Sequence, residues 1–239
     1  MLRVIIVLAT LSTIACHQPV AAPELPLEQI IERHISALGG EPALQRIKSR
    51  RINAIISGLI ETGTMTTYVK PPNKILIVMK IGSRETITGY DGTVAWIRDA
   101  QGVRQLSGGH VDRLKSSIAL DDLLGCRAVD CGMNLIGVEP VDSHPCYVLQ
   151  LIWRGGRQTM AFISSQNFHL IKTVSSIKAP TSGESVSVET RFSDFRNVGD
   201  IVVPFSMSVN GKYGKYRIMV SSYELNVHLD DSMFQAPES

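Results

Sequence analysis

Leu27, Ile30, Ile31, His34, Ile35 and Leu38 recur at intervals of three and four. That spacing sets them on one stripe of an α-helix spanning residues 27–38. Gly39 and Gly40 follow and predict its C-terminal stop. Residues 41–47 read as a short second helical segment. From Arg51 onward the period changes to two. Ile52, Ala54 and Ile56 alternate with Asn53 and Ser57, which is the pattern of a strand with one buried face. Lys74–Ile81 (KILIVMKI) is apolar on both faces and predicts a central, covered strand. Further strands are expected at 86–90, 94–98, 135–141, 147–153, 158–164, 170–177, 185–195, 202–209 and 216–225. These runs are rich in Val, Ile, Thr and Tyr, and Gly, Pro, Asn or Asp separates them. Residues 111–124 lack the alternation and read as a helical insertion across the sheet.

Short strands joined by tight turns, with no helix between most of them, imply an antiparallel sheet. Roughly ten or eleven strands in one sheet curl strongly or close. Both the N-terminal helix and the insertion need an apolar surface to cover, and the concave side of a curled sheet offers one. The expected fold is therefore mainly β, a strongly curved antiparallel half-barrel with an α-helical lid.

The chain has 239 residues, of which 44% are hydrophobic, enough for one sizeable core. The formal net charge of +2 leaves no footprint for nucleic acid. The densest basic stretch, Lys48 to Arg51 (KSRR), reads as a solvated helix end. The N-terminus adds more. Arg3 precedes an apolar run over residues 4–15 that is too short to span a bilayer as a stable helix, and Cys16 follows it. Ala15-Cys16 is similar to the site at which bacterial lipoproteins are cut and acylated. Ordinary cleavage after Ala21 or Ala22 is the alternative. The division expected is a leader over 1–16, a Pro- and Ala-rich tether over 17–26, and a single domain over 27–239.

Export places the remaining thiols in an oxidising compartment, where a bridge between Cys126 and Cys131 is expected and Cys146 reads as a small buried core residue. Cys126, Cys131, His144 and Cys146 could also ligate zinc, but the four-residue gap between the first two is wider than common zinc spacings. There is no H-E-x-x-H, no G-x-S-x-G, no P-loop and no G-x-G-x-x-G. Asp230-Asp231 reads as a charged turn and Asp91-Gly92 as a hairpin signal. Neither catalysis nor a cofactor is expected.

Three segments carry a resemblance: Tyr68 to Asn73 (YVKPPN), Gly89 to Trp96 (GYDGTVAW) and Leu225 to Pro237 (LNVHLDDSMFQAP). In this order and spacing the sequence, from about residue 27 to its end, resembles the LolA/LolB-like periplasmic lipoprotein carriers. The start at Gly39 to Lys48 (GGEPALQRIK) is also common in uncharacterised outer-membrane lipoprotein-sorting members. The resemblance implies an unclosed barrel whose lid covers a lipid cavity, with acyl chains of lipids or lipoproteins as cargo and no cofactor. The carriers place an arginine directly before the proline of the first segment, where it hydrogen-bonds the lid. Here that position is Pro71, which has no donor, so the latch is not carried over.

Alternation along the strands nominates Ile77, Met79, Trp96, Leu149, Leu151, Trp153, Phe205 and Met207 as the lining of the cavity. Met65, Met160 and Met219 complete a methionine set suited either to an acyl-chain site or to a core. The expected function is non-enzymatic binding of acyl chains by an outer-membrane lipoprotein anchored through Cys16 and facing the periplasm, or by a soluble periplasmic protein. The alternative is an envelope accessory or interaction protein whose apolar interior is only a core.

Overall fold

The computed structural model describes residues 22–58, 61–129, 131–178, 185–212 and 214–237. The proposed leader and Cys16 lie outside the described residues. Helix α1 (Leu27–Ala37) and helix α2 (Glu41–Gln45) come first. They meet at Gly39, whose φ of 116° ends α1 and lets the chain run against Asp200, where a Cβ would collide with the carbonyl. Six strands follow: β1 (Arg50–Ser57), β2 (Gly63–Lys70), β3 (Lys74–Ile81), β4 (Arg84–Tyr90), β5 (Ala95–Asp99) and β6 (Gly102–Leu106). Helices α3 (Gly109–Ser116) and α4 (Asp122–Ala128) interrupt them. Then come β7 (Gly132–Val141), β8 (His144–Ile152), β9 (Gln158–Ser164), β10 (Leu170–Lys178), β11 (Ser185–Val198), β12 (Ile201–Gly211) and β13 (Gly214–Leu225).

All these strands form one antiparallel sheet in the order β6-β5-β4-β3-β2-β1-β13-β12-β11-β10-β9-β8-β7. Each strand pairs with its neighbour in sequence except at the centre, where β1 meets β13. The sheet is not closed: β6 and β7 are its edges. Thirteen strands exceed the ten or eleven expected. The two missed are β2, whose Thr-rich GTMTTYVK alternates with little hydrophobic contrast, and β6, a polar edge strand, GVRQL. The insertion also differs from a single helix over 111–124. It breaks between α3 and α4, because Asp121 caps α4 by accepting a hydrogen bond from the Leu124 N–H at 3.0 Å.

The helices lie on the concave face. Ile30 of α1 and Leu123 and Cys126 of α4 pack on Tyr147, Leu149, Leu151, Ala161 and Ile163. Leu114 of α3 packs on Val69, Ile75 and Tyr90. Each fully buried Leu or Ile contributes roughly 1.5–3 kcal/mol, so these contacts hold the lid as well as the sheet. The last stretch of the expected tether belongs to the same core. Ala22 and Leu25 pack against it, and the Tyr147 hydroxyl donates to the Pro23 carbonyl at 2.8 Å.

The convex face of the β1–β6 half has its own cover. The C-terminal tail runs back over β3, and Leu229 and Phe234 pack on Leu76 and Trp96. Ile75 and Leu76 are thus covered from opposite sides, as the doubly apolar β3 pattern predicts.

Candidate functional site

Pairing across the sheet arranges the concave face in rows. One row runs Ile81, Gly63, Ile56, Ile218, Met207, Phe192. The next holds Met79, Met65, Ala54 and Val220, and a third Ile97, Thr88, Ile77, Thr67, Ile52 and Tyr223. Ile56 and Ala54 are buried, whereas Ile52, Met65, Met79, Met207 and Ile218 are only half-buried. Among the described residues, no packed cluster takes in these five. The middle of the concave face is therefore apolar, with adaptable methionines, and incompletely covered. A narrow recess lined by Leu38, Leu120, Asp121, Leu170 and Phe192 lies where Phe192 meets the lid.

Two polar devices hold the lid down. The first is Arg50, which opens β1 and faces inward between its partners Val69 and Leu225. It is 3% exposed. Its Nη2 donates to the carbonyls of Ile118 and of Ala119, the latter at 3.2 Å, in the α3–α4 connection, and Nη1 reaches the Tyr223 hydroxyl at 3.4 Å. The solvated helix end expected at Lys48 to Arg51 is therefore corrected: the segment enters a strand and turns Arg50 into the interior. Pro71 contributes no donor to the lid, and Arg50 supplies the contact instead.

The second device is His34, which is fully buried on α1. Its Nε2 lies 2.8 Å from an Asp121 carboxylate oxygen and its Nδ1 lies 2.7 Å from the Phe168 carbonyl. A carbonyl only accepts, so Nδ1 carries a proton. Burial pushes the imidazole pKa down, but the Asp121 charge and both hydrogen bonds outweigh it and leave it raised. Burial likewise pushes Asp121 up, and His34 with the backbone donors of Leu124 and Leu123 brings it below its ordinary value. The pair is a charged tie joining α1, the N-terminus of α4 and the β9–β10 turn.

No family model matches the sequence, and no curated protein matches it. Solved structures do. A LolA superfamily protein of Nitrosomonas europaea superposes with a TM-score of 0.60 at 17% identity, covering 90% of this chain and 98% of that one. The fold is LolA-like. A DUF1329 family protein of Desulfovibrio piger gives 0.61 at 17% identity, with 88% and 97% covered. A Vibrio parahaemolyticus domain named for outer membrane lipoprotein sorting gives 0.55 at 12% identity, with 86% and 94% covered.

Within this LolA-like sheet the nominated lining residues separate into groups. Ile77, Met79 and Met207 lie in the half-buried rows, and Phe205 alternates with them in register and packs near Tyr223 at 6.5 Å between ring centres. Leu149, Leu151 and Trp153 share the concave face but are closed over by α1 and α4 as solid core, with the Trp153 indole donating to Thr159 at 3.1 Å. Trp96 is a correction. It pairs with Gly89, so its side chain points to the convex face, where its indole donates to the Phe234 carbonyl at 2.8 Å. Gly89 is required there because the indole ring occupies the space of a Cβ. Met160 and Met219 also lie outside the concave rows. Met160 packs against the cluster of Cys146, Val148 and Phe162, and Met219 is 40% exposed.

The three motifs that carried the resemblance meet on that convex side, whereas Ala43, Leu44 and Ile47 of the Gly39 to Lys48 segment pack with Ile201 and Val203 on the other face. Lys70 and Lys74 both pair with Asp231, at 2.6 and 2.8 Å. Asp91 closes its hairpin by accepting from the Thr93 and Val94 N–H groups. These residues are architecture that anchors the tail. Cys126 and Cys131 form the expected disulfide, and Cys146 is a buried free thiol. Arg50 and the His34–Asp121 pair were missed as site residues. A charged residue at the first position of an alternating strand, and a His within an apolar stripe, are the only signals that pointed to them.

Proposed function

We propose that the chain is a non-enzymatic binder of acyl chains, from lipids or lipoproteins, in a bacterial envelope. The chains lie against the half-buried rows of the concave face, beneath α1, α3 and α4. The observation that carries this reading is the apolar surface around Met65, Met79, Met207 and Ile218 that the chain's own core leaves partly uncovered. Each buried methylene of a ligand contributes roughly 0.8 kcal/mol, so an acyl chain gains affinity without any single decisive contact. The shared fold of the Vibrio domain named for lipoprotein sorting supports the same class of cargo. The leader features and Cys16 support export, with the protein anchored at the outer membrane by its own lipid and facing the periplasm, the alternative being a soluble periplasmic protein.

The test is native mass spectrometry of protein purified from membranes without detergent, together with titration of a fluorescent fatty acid. Co-purifying acyl species and saturable binding are expected. A folded protein that carries and binds none refutes the reading and favours an accessory protein with a solid interior, for which the closed packing around Leu149, Leu151 and Trp153 speaks. Labelling with a fatty-acid analogue tests the anchor: label is expected on the wild type and lost in Cys16→Ser.

A further inference from the structure

Many of the described arginines meet a carboxylate at the surface: Arg46 with Asp200, Arg51 with Glu224, Arg98 with Glu85, Arg104 with Asp99, Arg127 with Glu41 and Arg196 with Asp194. The buried one does not. Arg50, 3% exposed, makes no ion pair with any carboxylate among the described residues, and its Nε has no hydrogen-bond partner there. Its neighbours across the sheet, Val69 and Leu225, are apolar. What it does hold are two neutral carbonyls of the α3–α4 connection and a phenol. A buried charge is costly unless an opposite charge meets it. A guanidinium presents its donors in a planar fork suited to a carboxylate or phosphate.

Resting on the acyl-chain reading above, we infer that Arg50 anchors the oxyanion of the ligand's headgroup, so that the cargo class is an anionic amphiphile. The acyl chain lies along the row of Ile77, Thr67 and Ile52, which crosses β1 two residues from Arg50. The headgroup oxygens replace the Ile118 and Ala119 carbonyls at Nη2 and satisfy Nε. Because those carbonyls belong to the lid, headgroup binding and release of the α3–α4 connection are one exchange at one side chain.

The test compares oleate, its neutral methyl ester and inorganic phosphate by calorimetric titration, on the wild type, Arg50→Gln and Arg50→Lys. The wild type is expected to bind oleate about tenfold tighter than methyl oleate, the scale of one charge-assisted contact. Arg50→Gln should bring the two affinities together, and Arg50→Lys should retain part of the difference. Equal affinities in the wild type overturn the inference while leaving acyl binding intact. Binding of neither lipid overturns both. Arg50-dependent binding of phosphate, without a preference for oleate over its ester, assigns the guanidinium to a free anion and overturns the amphiphile. If Arg50→Gln does not fold, the wild-type ratio of oleate to ester still decides.

Discussion

His34 sits in the middle of an otherwise apolar helix face, and its two ring nitrogens settle what it does there. The folded pKa is raised from 6.5. The tie is therefore fully present between the ordinary Asp value of 3.8 and pH 6.5; it is lost as pH rises through the raised His34 value, and at the acid end as pH falls through the lowered Asp121 value. Asp121 and the neighbouring His169 face it. Burial pushes His169 down and outweighs the backbone hydrogen bond with Ala37 that raises it, and the His34 charge adds to the lowering. Ring-nitrogen NMR should show both nitrogens protonated at pH 6, with the contact to α4 loosening as the ring deprotonates at higher pH. A neutral ring at pH 6 would contradict the assignment. Replacing His34 with Leu leaves Asp121 buried without its partner and is expected to cost about 3 kcal/mol in urea unfolding. Trp96 is a residue of the opposite kind, large and apolar with a single donor, and it serves the tail. Trp96→Ala should cost about 3–5 kcal/mol and leave acyl binding unchanged.

At the scale of elements, the lid and the tail are held by different chemistry. Helix α4 is short, capped by Asp121 at one end and tied at the other by the Cys126–Cys131 bridge. The loop closed by that bridge is small, so Cys131→Ser is expected to cost on the order of 2 kcal/mol. Native-state hydrogen exchange should place the loss in α4 first. The tail is packed by Leu229 and Phe234 and tied in addition by Asp231, whose side-chain hydrogen bonds with Lys70 and Lys74 hold its pKa at about 2. A depressed carboxylate contributes stability above its ordinary value of 3.8 and loses it as pH falls toward about 2. Trp96 fluorescence should therefore report release of the tail in that window, and Asp231→Asn should abolish the transition.

Over the whole molecule, the two faces of one sheet do different work. The convex face is closed by the tail near Trp96. On the concave face the helices pack toward both ends of the sheet and, through Ala43 of α2, on Ile201 and Val203 of the central β12, while Met65, Met79, Met207 and Ile218 stay half-buried. Introducing a charge therefore has a position-dependent outcome. Leu149 is 0% exposed within the cluster under α1 and α4, and Leu149→Asp should unfold the protein, a cost above about 4 kcal/mol. Met207 is half-buried in the uncovered row. Met207→Asp should retain the circular dichroism of the wild type and lose affinity for a fluorescent fatty acid by about tenfold or more. Unfolding of Met207→Asp would mean that this row is solid core as well.

Periodicity and local composition determined most of the elements of this protein. Spacing at three and four marked α1, alternation together with Val-, Ile-, Thr- and Tyr-rich runs marked eleven of the strands, and Gly39 and Asp91-Gly92 marked where the chain turns, because these are local properties of backbone and side chain. Local chemistry also indicated the Cys126–Cys131 bridge. Alternation separates two faces of a strand without saying which is concave, and so Trp96 could be grouped with Ile77 and Met79. Only the register of β4 against β5, and the return of the tail over β3, decided that it faces outward. The same holds for Lys48 to Arg51: in sequence it is a basic cluster, and long-range pairing of β1 with β2 and β13 turned Arg50 under the lid. Burial of a charge is a property of what the rest of the chain brings around it, and no local pattern encodes that.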